Sequence, residues 1–230
     1  MKLPDKRCDI AAAVSRIKDG DTVMIGGFGV PGTPFTLIQT LVQHGARNLT
    51  VIKNDANEPD MGVDHLLRSG QVARLITTHL GLNSHAIGLM NSGAIAVEFN
   101  PQGILAERIR AGGSGLGGVL SDIGIGTELA EGKQMVKMQG KNFLVEPALR
   151  ADVALIHADR ADAFGNLTYA ATAQNFSPLM TMAANCVIVE AETIVPLGAI
   201  AANAVQTTGV FVDHLTQLEV LSEEYAVVRR

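Results

Sequence analysis

The chain has 230 residues, of which 47% are hydrophobic, 18% charged and 4% aromatic, and its formal net charge is -5. That balance offers no basic face to a nucleic acid and few aromatic platforms on which unpaired bases could stack. No run approaches the roughly 18 consecutive apolar residues of a membrane span. The basic N-terminus MKLPDKRCDI adjoins no apolar segment of secretory length. Cys8 and Cys186 make no disulfide framework, and Cys186 reads as a buried thiol within NCVIVE. These features predict a cytoplasmic protein with no membrane or nucleic-acid partner. A charge fraction this low, with 24 glycines, points to closely packed layers and to further surface buried against a partner chain.

The first half alternates β-rich runs with helical patterns. DIAAAVSRIKDG predicts a helix closed by Gly20, TVMIG a strand, TPFTLIQTLVQHG a helix and NLTVIKND a strand. VDHLLRSG, VARLITTHL, SHAIGLMNSG and AIAVEF continue as helix, strand, helix and strand, and NPQGILAERIRAGG follows as a helix. In that helix Glu107 and Arg110 are spaced as a surface pair. From Gly112 to Gly126 the chain is too glycine-rich for a regular element, yet Leu116, Val119, Leu120, Ile123 and Ile125 predict close packing. QMVKMQGKNFLVE reads as a hairpin turning near Gly140. ADVALIHAD, GNLTYA, a helix around SPLMTMAAN and CVIVEAE then complete the pattern, with the terminal VRR a short solvated end. The strands are nearly continuous apolar runs, as when helices cover both sheet faces. The expected fold is a three-layer α/β sandwich with a mostly parallel central sheet, and no linker or internal repeat divides the unit 1–230.

Gly27, Gly29 and Gly32, directly after TVMI, have the GxGxxG spacing of a dinucleotide loop, and Asp55 sits where that fingerprint places an acidic residue. Pro34 argues against the match. A fingerprint helix begins within its glycines, where this proline would break it. Thr33–Pro34 reads instead as an N-cap followed by the first helical residue, with Pro31 holding Val30 extended in an approach loop. A helix before the first strand is a further departure from the nucleotide pattern.

GGFGVPGTP preceded by DGDTVMI resembles the N-terminal signature of the alpha subunit of two-subunit 3-oxoacid (ketoacid) and short-chain acyl coenzyme A transferases. NPQGILAERIRAGGSGLGG, GTELAEGKQ, LRADVALIHADRADAFGNLTY and FSPLMTMAANCVIVEAE carry the likeness from the first helix to near the C-terminus. The resemblance implies transfer of coenzyme A between an acyl-CoA, such as succinyl-CoA, and a short carboxylic or 3-oxo acid. Acetoacetate is the favoured acid and 3-oxoadipate the alternative. A glutamyl-CoA intermediate would form on a glutamate of a homologous beta subunit, within an alpha2beta2 heterotetramer. Coenzyme A then enters as substrate, with no permanently bound cofactor. A non-catalytic nucleotide- or sugar-phosphate-binding module is the alternative from another class.

On this resemblance Gln102 stabilises the oxyanion formed during thioester attack. Asn100–Pro101, read as N-cap and first helical position, puts Gln102 in a first turn rich in unpaired N–H groups. The loop Gly26, Gly27, Phe28, Gly29, Val30, Pro31 and Gly32 is assigned to coenzyme A or its thioester, because absent Cβ atoms allow close backbone approach. Asn54 and Asn57 would face the cleft, or read alone as turn residues, and Gly112 and Gly113 would turn the chain close to it. Glu58, Glu98, Glu107 and Glu146 are not nominated as nucleophile, because the family's glutamate lies on the other subunit. His79, His157 and His214 show no metal-ligand pattern and read as strand-end or packing residues, so no metal is expected.

Overall fold

The computed structural model describes residues 4–225; the terminal VRR lies outside the described residues. The chain alternates as its hydrophobic pattern predicts, through α1 (Ile10–Val14), β1 (Thr22–Ile25), α2 (Phe35–His44), β2 (Leu49–Ile52), α3 (Val63–Arg68), β3 (Val72–Thr77), α4 (Ser84–Asn91) and β4 (Ala96–Phe99). Helix α5 (Gln102–Gly113) leads into β5 (Gly118–Ser121), β6 (Met135–Met138) and β7 (Lys141–Pro147). The chain then returns through β8 (Ala151–Asp162), β9 (Leu167–Thr168), α6 (Ser177–Ala183), β10 (Ala184–Val195) and β11 (His214–Gln217).

The main sheet runs β11-β10-β8-β1-β2-β3-β4, with every neighbour parallel and only β9 antiparallel to β8. Successive side chains of a strand point to opposite faces. On β1, Val23 and Ile25 accordingly enter a core shared with Leu37 and Leu41 of α2 and Leu66 of α3. Met24 enters a second core on the other face, with Leu105 and Ile109 of α5 and Met180 of α6. Two apolar cores on opposite sheet faces make the three layers, as the continuous apolar strands imply. No helix among the described residues is long and apolar enough to cross a membrane.

Some local expectations are corrected. The first helix is shorter than Asp9–Lys18: Asp9 caps it by accepting from Ala12 N at 2.9 Å, and its regular turns end at Val14. Cys186 is half-buried on β10, not enclosed. The glycine-rich stretch does hold a regular element, β5, which pairs with β7 in a small antiparallel sheet ordered β5-β7-β6. The predicted hairpin is there, turning through Gln139 (φ 51°) and Gly140 (φ 81°), the two left-handed residues of a tight hairpin turn. Close packing of the stretch is not found within the chain. Leu116, Leu120, Ile123 and Ile125 are all exposed, together with Met135 and Met138 of β6. An exposed apolar surface of this kind is unusual for a side of a protein that faces only water.

Gly112 and Gly113 do not turn the chain at a cleft. They are the last residues of α5, at the opposite end from Gln102, about 15 Å away at 1.5 Å per residue. A Cβ at Gly112 would stand 1.9 Å from Leu149 O, and one at Gly113 would stand 2.6 Å from Met182 Cβ. Their small size lets α5 pack directly on the start of β8 and on α6. Gly112→Ala should therefore lower stability by about 1–3 kcal/mol through overpacking. Gly103→Ala, in the same helix with open space around its Cβ position, should be neutral or stabilising by up to about 1 kcal/mol. Urea unfolding of the two variants beside the parent checks the contrast.

Candidate active site

The ends of β1, β2, β3 and β4 lie side by side, and the segments that follow them build one polar cluster. In open parallel sheets such carboxyl ends are where ligands bind. The loop after β1 begins at Gly26 and reaches α2 at Phe35. It is folded tightly on itself, with Phe28 N donating to Pro31 O and Thr33 N to Val30 O, both at 3.1 Å.

The expected start of α2 is shifted. Pro34, with φ -82° and ψ 74°, is the N-cap residue, and it has no side chain able to cap. Thr33 turns back instead, its Oγ1 donating to Gly29 O at 2.6 Å. The helix end is capped from across the sheet by Glu190 of β10, whose carboxylate accepts from Leu37 N at 2.7 Å. No helix begins within the glycines, so the dinucleotide geometry is absent.

Asp55 also departs from that geometry. It is buried, and its carboxylate accepts from Gly29 N (2.8 Å), Asn57 N (2.8 Å), Asn54 Nδ2 (3.0 Å) and Lys53 Nζ (3.3 Å). Burial pushes the carboxyl up, but Lys53 and these donors outweigh it and hold the pKa at about 2. The acid that would grip a ribose is committed to gripping the glycine loop. Asn57 completes the grip, with Nδ2 on Gly29 O at 2.8 Å and Oδ1 accepting from Val63 N at 3.0 Å.

This tether redistributes the roles of the glycines. A Cβ at Gly27 would meet Thr33 Oγ1 at 2.3 Å, one at Gly32 would meet Ala173 O at 2.4 Å, and one at Gly26 would meet Ser177 Oγ at 2.8 Å. Those three are glycine because the loop is pressed against its own chain. Gly29 has φ 57° and nothing within 4 Å of its Cβ position, so it is where the loop opens to free space, its N–H and C=O being held by Asp55, Thr33 and Asn57. Phe28 beside it is 44% exposed. Pro31 is held from the far side, its carbonyl accepting from Asn175 Nδ2 at 3.0 Å.

Gln102 joins the same cluster. It is the first residue of α5, Pro101 being the N-cap, so the predicted register is displaced by one residue. The reason is that Asn100 is engaged elsewhere, its Oδ1 accepting from Arg108 Nη1 at 2.5 Å. Gln102 Nε2 donates to Asn54 Oδ1 at 2.8 Å, and Thr78 Oγ1 also reaches Asn54, at 2.7 Å from its carbonyl oxygen. A chain of hydrogen bonds thus runs from Gln102 through Asn54 and Asp55 to Gly29. The Gln102 side chain is exposed at a helix N-terminus and oriented by Asn54, with a second amide hydrogen still to donate. Gln102, Asn54, Asn57 and the glycine loop are therefore brought together, while Gly112 and Gly113 are not.

Of the four glutamates, Glu98 is paired with Arg108 and Arg74, Glu107 with Arg110, and Glu146 with Lys133. Glu58 alone among them is exposed near the loop, lining a hollow with Phe28 and Gly29. Glu190 and Tyr225 escape the sequence reading, and His157 is more than the strand-end or packing histidine expected there. His157 of β8 lies opposite Glu190 of β10, with Nδ1 2.9 Å from Glu190 Oε1 and Nε2 3.3 Å from Glu192 Oε1. Burial pulls the imidazole down, but the two carboxylates outweigh it and raise its pKa to about 9. Tyr225 packs on His157 and Phe35, and its hydroxyl bonds Thr33 O. The signal for the pair is a polar residue inside each of two apolar strands, ALIHAD and CVIVEAE; that they face each other depends on the sheet order. His79 stands at the end of β3 and His214 on β11.

Fold and site together define an α/β protein with a hydrogen-bonded polar cluster on the carboxyl edge of a parallel sheet. Residues 7–218 match the family model "Coenzyme A transferase", and the chain belongs to that family. It is 46% identical over 222 residues to a probable coenzyme A transferase subunit alpha of Bacillus subtilis (strain 168), covering 96% of this chain and 97% of that one. It is 43% identical over 203 residues to the acetate CoA-transferase subunit alpha of Escherichia coli (strain K12), covering 88% and 92%. In fold it resembles an acyl-CoA transferase of E. coli O157:H7 solved as a thioester complex with CoA, with TM-score 0.84 and 23% identity. That likeness covers 96% of this chain but only 48% of the other, so this chain spans about half the length of that one.

His157 also sets an alkaline limit. A pKa raised from 6.5 to about 9 on folding contributes stability that is complete below pH 6.5 and lost as the pH rises through about 9. Urea midpoints of the parent should fall over that window, and those of His157→Gln should fall less. Equal slopes for the two proteins would show that the imidazole is not held in its charged form.

Proposed function

We propose that this chain is the alpha subunit, a single domain, of a CoA-transferase that moves coenzyme A between a short-chain acyl-CoA or succinyl-CoA and a short carboxylic or 3-oxo acid such as acetoacetate. The observation that carries the reading is the hydrogen-bonded line Gln102–Asn54–Asp55–Gly29, which orients an amide donor beside an open, clamped backbone loop. A thioester carbonyl lying against Gln102 would find a preorganised donor where negative charge develops, reinforced by the N-terminus of α5.

The attacking carboxylate comes from a homologous beta subunit. Its oxygen adds to the thioester carbonyl and the CoA thiolate leaves, giving an acyl-glutamyl anhydride. The thiolate then attacks the glutamyl carbonyl and expels the free acid, leaving a glutamyl-CoA thioester. The acceptor acid repeats these steps in reverse, so the energy of the thioester is conserved. The ion pairs that occupy Glu98, Glu107 and Glu146 support a nucleophile from outside the chain. The exposed apolar side chains of Leu116, Leu120 and Ile123 support a partner surface, as in an alpha2beta2 assembly. The 3-oxoadipate reading differs only in the acid.

The test is CoA exchange by the purified chain alone, by a beta chain carrying the glutamate, and by the two together. Only the mixture should turn over, and exchange by this chain alone would overturn the shared site and bring Glu58 forward. In the active complex Gln102→Ala should lower kcat about 100-fold or more, with KM for the acyl-CoA little changed and assembly intact. Full turnover in that variant would remove Gln102 from the oxyanion role.

A further inference from the structure

The glycine loop has a second feature that the CoA-transfer reading leaves unassigned. Beyond Gly29, away from Pro31 and Asn175, lies a hollow of about 90 Å³ walled by Phe28, Val30, Ala56, Met61, Leu80 and Leu82. It shares Gly29, Asp55 and Asn57 with the tether described above, so it adjoins the place where the loop backbone opens. Leu82, at the start of the turn into α4, is 66% exposed and forms an apolar rim with Phe28.

Size and charge restrict what can enter. The hollow is well below the roughly 300–1,000 Å³ of pockets that enclose larger ligands. That is far too little for a pantetheine arm with its nucleotide, and it suits a tail of a few carbon atoms. Two carboxylates line it, Asp55, buried with its oxygens occupied, and the exposed Glu58, together with the half-buried imidazole of His79, whose Nδ1 lies 2.9 Å from Thr78 Oγ1. No lysine or arginine lines it. A second carboxylate on the substrate would meet an apolar wall and the like charge of Glu58, with no lysine or arginine to pair it and the imidazole of His79 already bonded to Thr78, and a buried unpaired charge is strongly disfavoured.

Resting on the proposed function, we infer that this hollow receives the acyl tail of the thioester and selects short, uncharged tails, of aliphatic or 3-oxo monocarboxylic acids, over dicarboxylic ones, which narrows the donor to a short-chain acyl-CoA in preference to succinyl-CoA. Met61 and Leu82 set the length and charge that it accepts. Neither is part of the hydrogen-bonded line that serves the carbonyl, so their effect falls on the choice of acid.

The experiment measures kcat/KM of the assembled complex for butyrate, acetoacetate, hexanoate, succinate and 3-oxoadipate with one CoA donor. Butyrate and acetoacetate should exceed both dicarboxylates by about tenfold or more. Met61→Ala should raise the hexanoate-to-butyrate ratio by about tenfold, the scale of a methylene in an apolar pocket. Leu82→Arg, at an exposed position that tolerates charge, should raise the succinate-to-butyrate ratio to a similar extent. A parent that prefers dicarboxylates, or ratios that neither substitution moves while exchange continues, overturns this inference and leaves the CoA-transfer reading standing. An equal loss for every acid with a raised KM for the CoA donor would put the pantetheine arm in the hollow and also overturns it. Absence of exchange with every acid overturns both.

Discussion

The site depends on one buried carboxylate. Asp55 holds the glycine loop by its Gly29 N–H, positions Asn54 and Asn57, and is neutralised by Lys53, which is itself fully enclosed. A buried ion pair contributes little net stability when intact, but removing one member leaves an uncompensated charge costing about 3–5 kcal/mol. Loss of the carboxylate would therefore release the loop and strand a buried ammonium together. The loop is clamped from its other side by Asn175 on Pro31 and by Tyr225 on Thr33. What faces the open side is backbone held in place from both flanks, the kind of preorganisation that electrostatic stabilisation requires.

A second buried polar set holds the helix that follows. Glu190 caps α2 from the neighbouring strand, and His157 holds Glu190 in place. The capping carboxylate comes from a residue 153 positions along the chain from Leu37, so the helix end is tied to the sheet and not merely closed locally. The chain leaves β1 toward β2 on one side, while β8 pairs with β1 on the other. The glycine loop spans this switch in direction, the position at which open parallel sheets leave a crevice. Asp55 and Glu190 together make that crevice rigid on both flanks.

Much of this architecture is legible along the chain. The alternation of apolar runs and helical patterns gives the layers, and Gln139–Gly140 marks the hairpin. Pro34 correctly argues against a helix beginning in the glycines. Local capping rules failed at both Thr33 and Asn100, because each side chain is engaged elsewhere: Thr33 with Gly29 O four residues back, Asn100 with Arg108 eight residues on. Packing of the glycine-rich stretch was expected from its apolar residues, but hydrophobicity reports only that a surface is to be buried. Whether the covering surface belongs to the same chain is a separate matter.

The sequence by itself determined the layered α/β class, the extended glycine approach loop and the family resemblance carried by ordered motifs. Period, turn chemistry and motif order are properties of neighbouring residues. Only the tertiary structure decided what each polar residue does. Asp55 stands at the fingerprint position of a ribose ligand, and its role as a loop anchor is visible only in its 2.8 Å contact with Gly29 N. Gln102 reads as a solvated first-turn residue until Asn54, 48 positions away, is brought to 2.8 Å from it. The glycines 26, 27 and 32 look like ligand-facing residues until their neighbours, Ser177, Thr33 and Ala173, are in place. These distinctions depend on the parallel sheet setting the ends of β1 to β4 side by side, a juxtaposition that no local pattern encodes.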